Sequence, residues 1–74
     1  MRKKIYLLST LLFTTLCATA QQMTENDHIR NGNQFYTDSL FEKAEIEYRK
    51  ALEINPSSTD AMYNLGNALF NQIP

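Results

Sequence analysis

Small and aromatic side chains recur at helical spacing in the middle of the chain. Ala44, Tyr48 and Ala51 stand four and three residues apart, so they share one face of a helix with 3.6 residues per turn. Gly32 lies earlier in the chain, and a residue without a side chain leaves room for an aromatic ring on a facing helix. The pattern therefore predicts two closely packed helices, with aromatic rings set against small residues.

Capping residues bound the first of these helices. Thr24 is an N-cap candidate, and Asp27 follows three residues later, an arrangement typical of a helix start. The first helix is therefore predicted from about Glu25 to Thr37.

The second helix has a capping pattern of its own. Ser39 opens the run S-L-F-E, in which the Ser39 hydroxyl is expected to accept a hydrogen bond from the Glu42 amide. Proline cannot continue a helix, and it disfavours helical angles in the residue before it. The second helix is therefore predicted from about Leu40 to Glu53, with Pro56 closing the pattern.

The pattern then starts again. The polar run at residues 57–60 offers another cap, and residues 61–71 read AMYNLGNALFN. Gly66 recurs 34 residues after Gly32, a period typical of helical repeat proteins. The chain is therefore expected to hold one complete two-helix repeat and the first helix of another.

The stretch 32–56 resembles the tetratricopeptide repeat, an antiparallel helix pair of about 34 residues. The places that match the family pattern are Gly32, Phe35, Ala44, Tyr48, Ala51 and Pro56. Asn31 and His28 depart from it, since the family has Leu and a large apolar residue there. The resemblance implies an all-α, helix-turn-helix fold after an N-terminal signal helix, with a full repeat at residues 25–58 and a partial repeat at residues 59–74.

The N-terminal segment has the pattern of a secretory signal. Three basic residues precede an apolar stretch at residues 5–16, and small residues follow. This order predicts a signal peptide at residues 1–20, cleaved between Ala20 and Gln21, with residues 21–24 as a flexible lead. The apolar stretch is short for a membrane span, which takes about 20 residues.

Two other readings of this segment stay open. The first is an uncleaved helix that anchors the protein in the inner membrane. The second is a lipid-modified Cys17, although Leu16 stands where such signals have a small residue.

Charge is placed unevenly along the chain. The net charge is −1 overall, but from Gln21 onward four basic residues face eight acidic ones, a net charge of −4. An acidic chain without a basic stripe argues against nucleic acid as a partner. The single cysteine, Cys17, has no partner for a disulfide, so a domain of this size depends on apolar packing and is marginal by itself.

No residues group in a catalytic or metal-binding pattern. The single histidine, His28, has no cysteine or second histidine at metal-ligand spacing. Acidic and basic residues alternate along the second helix, where Lys43 and Glu47, and Glu45 and Arg49, stand at i,i+4 spacing. These features predict a solvated helix face, and no enzyme activity, cofactor or small-molecule substrate is expected.

The remaining candidate is a binding groove. In the tetratricopeptide repeat family, the first helices of successive repeats line a concave surface that takes a protein or peptide segment. Carried over to this chain, the groove positions are Asn26, Ile29, Asn33, Tyr36, Thr37, Asp60, Tyr63, Asn67, Phe70 and Asn71. Amide groups can pair with a peptide backbone, and aromatic rings offer apolar surface. The alternative is that these side chains are simply the exposed side of the helices.

One known groove chemistry is not expected here. Family members that grip a C-terminal carboxylate use a lysine, two asparagines and basic residues of a third repeat. Asn33 and Asn64 occupy the two asparagine places, but Ile29 stands where the first lysine is needed. The acidic balance of the chain also repels an anionic ligand.

The resemblance and the signal pattern together predict an exported, non-enzymatic interaction module, a scaffold in the periplasm of a Gram-negative bacterium. The signal ending A-T-A-Q-Q, followed by an acidic repeat, is similar to exported repeat proteins of aerotolerance (Bat) operons in Bacteroides-type bacteria. That similarity implies a membrane-associated complex. The alternative is a membrane-tethered fragment with an uncleaved N-terminal helix and a remnant repeat.

The third helix carries apolar side chains that no following helix covers. They are Met62, Leu65, Leu69 and Phe70, and repeat arrays usually need about three repeats for stability. Three explanations stay open: the sequence is a piece of a longer repeat protein, another copy or partner supplies a helix, or three helices suffice weakly. We favour the first, and we expect residues 21–74 to be weakly folded in isolation.

Overall fold

Three helices make up the part of the protein that the computed structural model describes, residues 22–74. Helix α1 spans Glu25–Thr37, α2 spans Phe41–Ile54 and α3 spans Thr59–Phe70, and no strand occurs among these residues. The all-α helix-turn-helix architecture is therefore confirmed. The predicted signal peptide and its cleavage site lie outside the described residues. None of the three helices is long and apolar enough to cross a membrane.

Helix α1 begins at the predicted cap. The Asp27 amide donates to the Thr24 hydroxyl at 3.2 Å, and the Thr24 amide donates to Asp27 Oδ2 at 2.9 Å. These bonds satisfy two amides that a helix start leaves without partners. The amide and hydroxyl of Thr24, and then Arg30, hold the pKa of the Asp27 carboxyl below its usual value.

The predicted cap of the second helix is wrong. Ser39 has a φ of 60°, and its amide donates to the Tyr36 carbonyl at 3.0 Å while the Leu40 amide donates to the Phe35 carbonyl at 2.8 Å. This pair of bonds is the Schellman motif, which ends α1. Ser39 is therefore used to stop the first helix, and it does not cap the second. Helix α2 starts one residue later than predicted, at Phe41, without a side-chain cap.

Helix α3 begins in the polar run that the sequence indicated. The Ser58 hydroxyl accepts a hydrogen bond from the Ala61 amide at 3.2 Å, and Ser58 is buried. At the other end, Gln72 donates to Glu45 of α2 at 2.9 Å. This bond and a second one from Arg49 lower the pKa of the Glu45 carboxyl. Helix α3 is thus tied to α2 at its C-terminal end.

The core forms around the ring of Tyr48. Tyr48, Ala44 and Ala68 of α3 are buried together, with partly buried apolar side chains around them. A Cβ atom added to Gly32 would lie 2.5 Å from Cε1 of Tyr48, far inside ordinary carbon contact. The predicted close approach of α1 and α2 is confirmed, because only a residue without a side chain leaves space for this ring.

The second glycine has no such contact. A Cβ atom added to Gly66 would meet nothing within 4 Å, so the packing reason predicted for this glycine does not apply among the described residues. Met62, Leu69 and Phe70 are exposed as expected. Leu65 is the exception, because it packs against the Tyr48 cluster.

Candidate peptide-binding surface

A shallow depression lies between α1 and α3, over the hydroxyl of Tyr48. Its volume is about 330 Å³. The lining side chains are amides, hydroxyls and rings: Asn33, Tyr36, Thr37, Tyr48, Asn64 and Asn67. None of them carries a charge, so the depression offers hydrogen bonds and apolar surface.

One asparagine is held in place by both neighbouring helices. Oδ1 of Asn33 accepts a hydrogen bond from the Tyr48 hydroxyl at 2.7 Å and another from Asn64 Nδ2 at 3.3 Å. Because the oxygen takes both bonds, Nδ2 of Asn33 keeps its two hydrogens for a ligand. The amide is thus oriented before any ligand arrives.

The Tyr48 hydroxyl is the fixed point of this network. Tyr48 is 1% exposed, and burial, followed by the nearby Tyr36, raises the pKa of its hydroxyl. The group therefore stays protonated and acts as a donor at neutral pH. It joins the core of the repeat to the lining of the depression.

A second network holds the other end of the depression. Asn71 Nδ2 donates to the Tyr36 hydroxyl and to the Asn67 carbonyl, both at 2.9 Å. The Tyr36 ring also contacts Phe41 edge to face, with 5.2 Å between ring centroids. Tyr36 is therefore fixed by its hydroxyl and by its ring.

Comparison with known proteins supports the architecture. The profile of the TPR repeat family matches residues 32–72, more than half of the chain. The chain belongs to the TPR repeat family. Over 50 residues it is 38% identical to a curated TPR relative, the Hsp70-Hsp90 organising protein of Plasmodium falciparum (isolate 3D7). The match covers 68% of this chain and 8% of that protein, and no solved structure matches the chain significantly.

The TPR groove positions fall into two groups in the structure. Five of them lie in or at the rim of the depression, namely Asn33, Tyr36, Thr37, Asn67 and Asn71. The other five lie outside its lining: Asn26, Asp60, Tyr63 and Phe70 are exposed, and Ile29 is partly buried. The depression is thus the central part of the predicted TPR groove.

Two lining residues were not among the predicted groove positions. Tyr48 was assigned to the core, where its ring does lie, but its hydroxyl reaches the depression. Asn64 was named only for the carboxylate grip of other TPR proteins. Its place beside Asn33 in that comparison was the available signal, since the two side chains are in fact bonded.

The single histidine of the TPR pair is part of the helix packing. His28 Nδ1 lies 2.7 Å from Glu47 Oε2, and both side chains are mostly buried between α1 and α2. The predicted pairing of Lys43 with Glu47 is therefore wrong: Lys43 Nζ lies over the Phe35 ring instead, 5.9 Å from its centroid. Within residues 22–74, no three His, Cys, Asp or Glu side chains group as metal ligands do.

Proposed function

We propose that this chain is a non-enzymatic protein-interaction module that binds an extended, uncharged peptide segment in the depression between α1 and α3. The observation that carries the proposal is the oriented amide of Asn33, held by Tyr48 and Asn64. An amide fixed in this way binds without first losing side-chain freedom, which lowers the entropic cost of association.

The chemistry of the lining fits a peptide backbone. Nδ2 of Asn33 is suited to a backbone carbonyl, and the Oδ1 atoms of Asn64 and Asn67 are suited to backbone amides. The Thr37 hydroxyl donates to the Asn33 carbonyl at 3.0 Å, so its lone pairs can accept from a ligand. Backbone bonding of this kind gives affinity with little dependence on the ligand's side chains.

The lining also bears on the ligand's charge. No cation lines the depression, and Ile29 stands at the lysine place of carboxylate-gripping TPR proteins. A peptide terminus with its carboxylate would lose hydration there without gaining a partner. An internal segment of a protein is therefore the better ligand.

A peptide-display screen against the full chain tests this proposal. Selected peptides are expected to bind equally well with a free or an amidated C-terminus. Asn67→Ala is expected to weaken binding about fivefold, because one hydrogen bond contributes about 1 kcal/mol. Gln34→Ala is the matched control, since this amide is exposed on α1 outside the depression. Binding that needs a free carboxylate, or that both substitutions weaken alike, would refute the proposal.

We place this work outside the cytoplasm. The support is the signal pattern of residues 1–20, which argues for export to the periplasm, and the similarity to repeat proteins of aerotolerance operons, which suggests a membrane-associated complex. By its name, the Plasmodium relative organises Hsp70 and Hsp90, and we carry over only the general role of bringing proteins together.

Fractionation and intact mass test the location. The expected form is periplasmic, starts near Gln21 and stays soluble after an alkaline carbonate wash. Recovery only in the washed membrane pellet would favour the alternative, a tethered fragment with an uncleaved N-terminal helix.

A further inference from the structure

Helix α3 has two faces of different fate. One face packs on α2 through Ala68, which is fully buried, and through the partly buried Leu65. A second stripe is exposed to solvent. We call it the open face, and it consists of Met62, Gly66, Leu69 and Phe70 at i, i+4, i+7 and i+8, with Ile73 just after the helix.

The open face is large and uncharged. Met62 is 49% exposed, Leu69 39%, Phe70 73% and Ile73 68%. With about 200 Å² for a fully exposed large side chain, they present roughly 450 Å² of apolar surface. The single charged residue of α3 is Asp60, in its first turn. A partner for this face must therefore be apolar as well.

The outer face of α1 does not meet this requirement. By the 34-residue repeat, Asp27, Asn31 and Gln34 of α1 correspond to Ala61, Leu65 and Ala68 of α3. The α1 side chains are charged or amide groups, and Asp27 is already bonded to Arg30. Stacking a second copy head to tail would bury these polar groups against apolar ones, which is unfavourable.

The open face is, however, complementary to itself. If two α3 helices cross antiparallel at Gly66, Met62 of each copy lies opposite Phe70 of the other, since both stand four residues from the crossing point. A thioether against an aromatic ring is a favourable contact. The two glycines meet without side chains, which allows close approach, and the two Asp60 carboxylates stay at opposite ends.

We propose that a second copy of this chain covers the open face, α3 against α3, about a two-fold axis at Gly66. Each contact then occurs twice, as closed symmetry requires. The apolar surface of both copies is about 900 Å², below the roughly 1,600 Å² of a stable interface. The dimer is therefore weak and forms only as protein concentration rises.

Sedimentation velocity of the full chain, from about 5 μM to about 1 mM, tests the association. Gly66→Lys is expected to weaken the dimer about tenfold or more, because two like charges would meet at the axis. The monomer keeps its fold, since a side chain at this position meets nothing within 4 Å. Ile46→Lys on α2 is the control, because Ile46 is also exposed but lies outside the open face.

Disulfide trapping tests the geometry independently. In a Cys17→Ser background, Gly66→Cys is expected to cross-link copies rapidly, because the two-fold axis brings these positions within the span of a disulfide. Ile46→Cys should cross-link slowly. A chain that stays monomeric at about 1 mM, a dimer unaffected by Gly66→Lys, or equal cross-linking at both positions would overturn the proposal.

Discussion

Replacing Gly32 by alanine tests how closely α1 and α2 pack. The added Cβ atom would lie 2.5 Å from Cε1 and 2.8 Å from Cδ1 of Tyr48. Carbon atoms in contact stay about 3.5 Å apart or more. The Tyr48 ring would therefore have to retreat by about 1 Å, or the two helices would have to separate.

The retreat is costly because the ring is anchored at both ends. It is buried in the core, and its hydroxyl donates to Asn33. Overpacking costs about 1–3 kcal/mol and the strained hydrogen bond about 1 kcal/mol, while the better helix propensity of alanine returns about 1 kcal/mol. We expect a net loss of about 1–3 kcal/mol in the free energy of unfolding.

Urea unfolding followed by circular dichroism measures this loss. Gly66→Ala is the matched control, because a side chain there meets nothing and only helix propensity changes. At low protein concentration it should raise the free energy of unfolding by about 1 kcal/mol. If Gly32→Ala proves as stable as the unsubstituted chain, or if both variants shift alike, the ring does not require a glycine and the reasoning fails.

Two further predictions concern the turn and the cap of α1. Ser39 holds a φ of 60°, a conformation that costs a residue with a side chain about 1 kcal/mol. Ser39→Gly should therefore raise the free energy of unfolding by about 0.5 kcal/mol after the greater freedom of unfolded glycine is subtracted, and a lower urea midpoint would contradict the assigned turn. The folded-state pKa of Asp27 lies below its ordinary 3.8, so its contribution is present above that pH and is lost as pH falls. Thermal unfolding between about pH 5 and pH 2 should show a flatter profile for Asp27→Asn, and parallel profiles would refute the linkage.

The bounds of α1 follow from the sequence because its signals are local. Thr24 and Asp27 cap each other across three residues, and the contact needs nothing else from the fold. Ser39 shows the limit of the same reasoning. Its sequence context suits a helix start, but it lies where α1 must also end, and the two roles need different backbone angles. The competition was settled by the amides that satisfy the last carbonyls of α1.

The candidate site was predicted in part for a similar reason. Helical spacing and the family resemblance selected Asn33 and Asn67 together, and both line the depression. The same spacing assigned Tyr48 wholly to the core. A side chain with an apolar ring and a polar end can serve both places, and only the position of Asn33 on the other helix shows that it does.

The sequence by itself determined which residues form helices and which helix faces are apolar, because the helical period and the caps act over three or four residues. It also indicated the repeat, since Gly66 follows Gly32 by one period. The tertiary structure decided which side chains meet. The bonds that join Asn33 to Tyr48 and Asn64 span 15 and 31 residues, and such contacts depend on how the helices pack. Packing also gave the two glycines different surroundings, since the ring of Tyr48 lies against Gly32, and Gly66 faces open space.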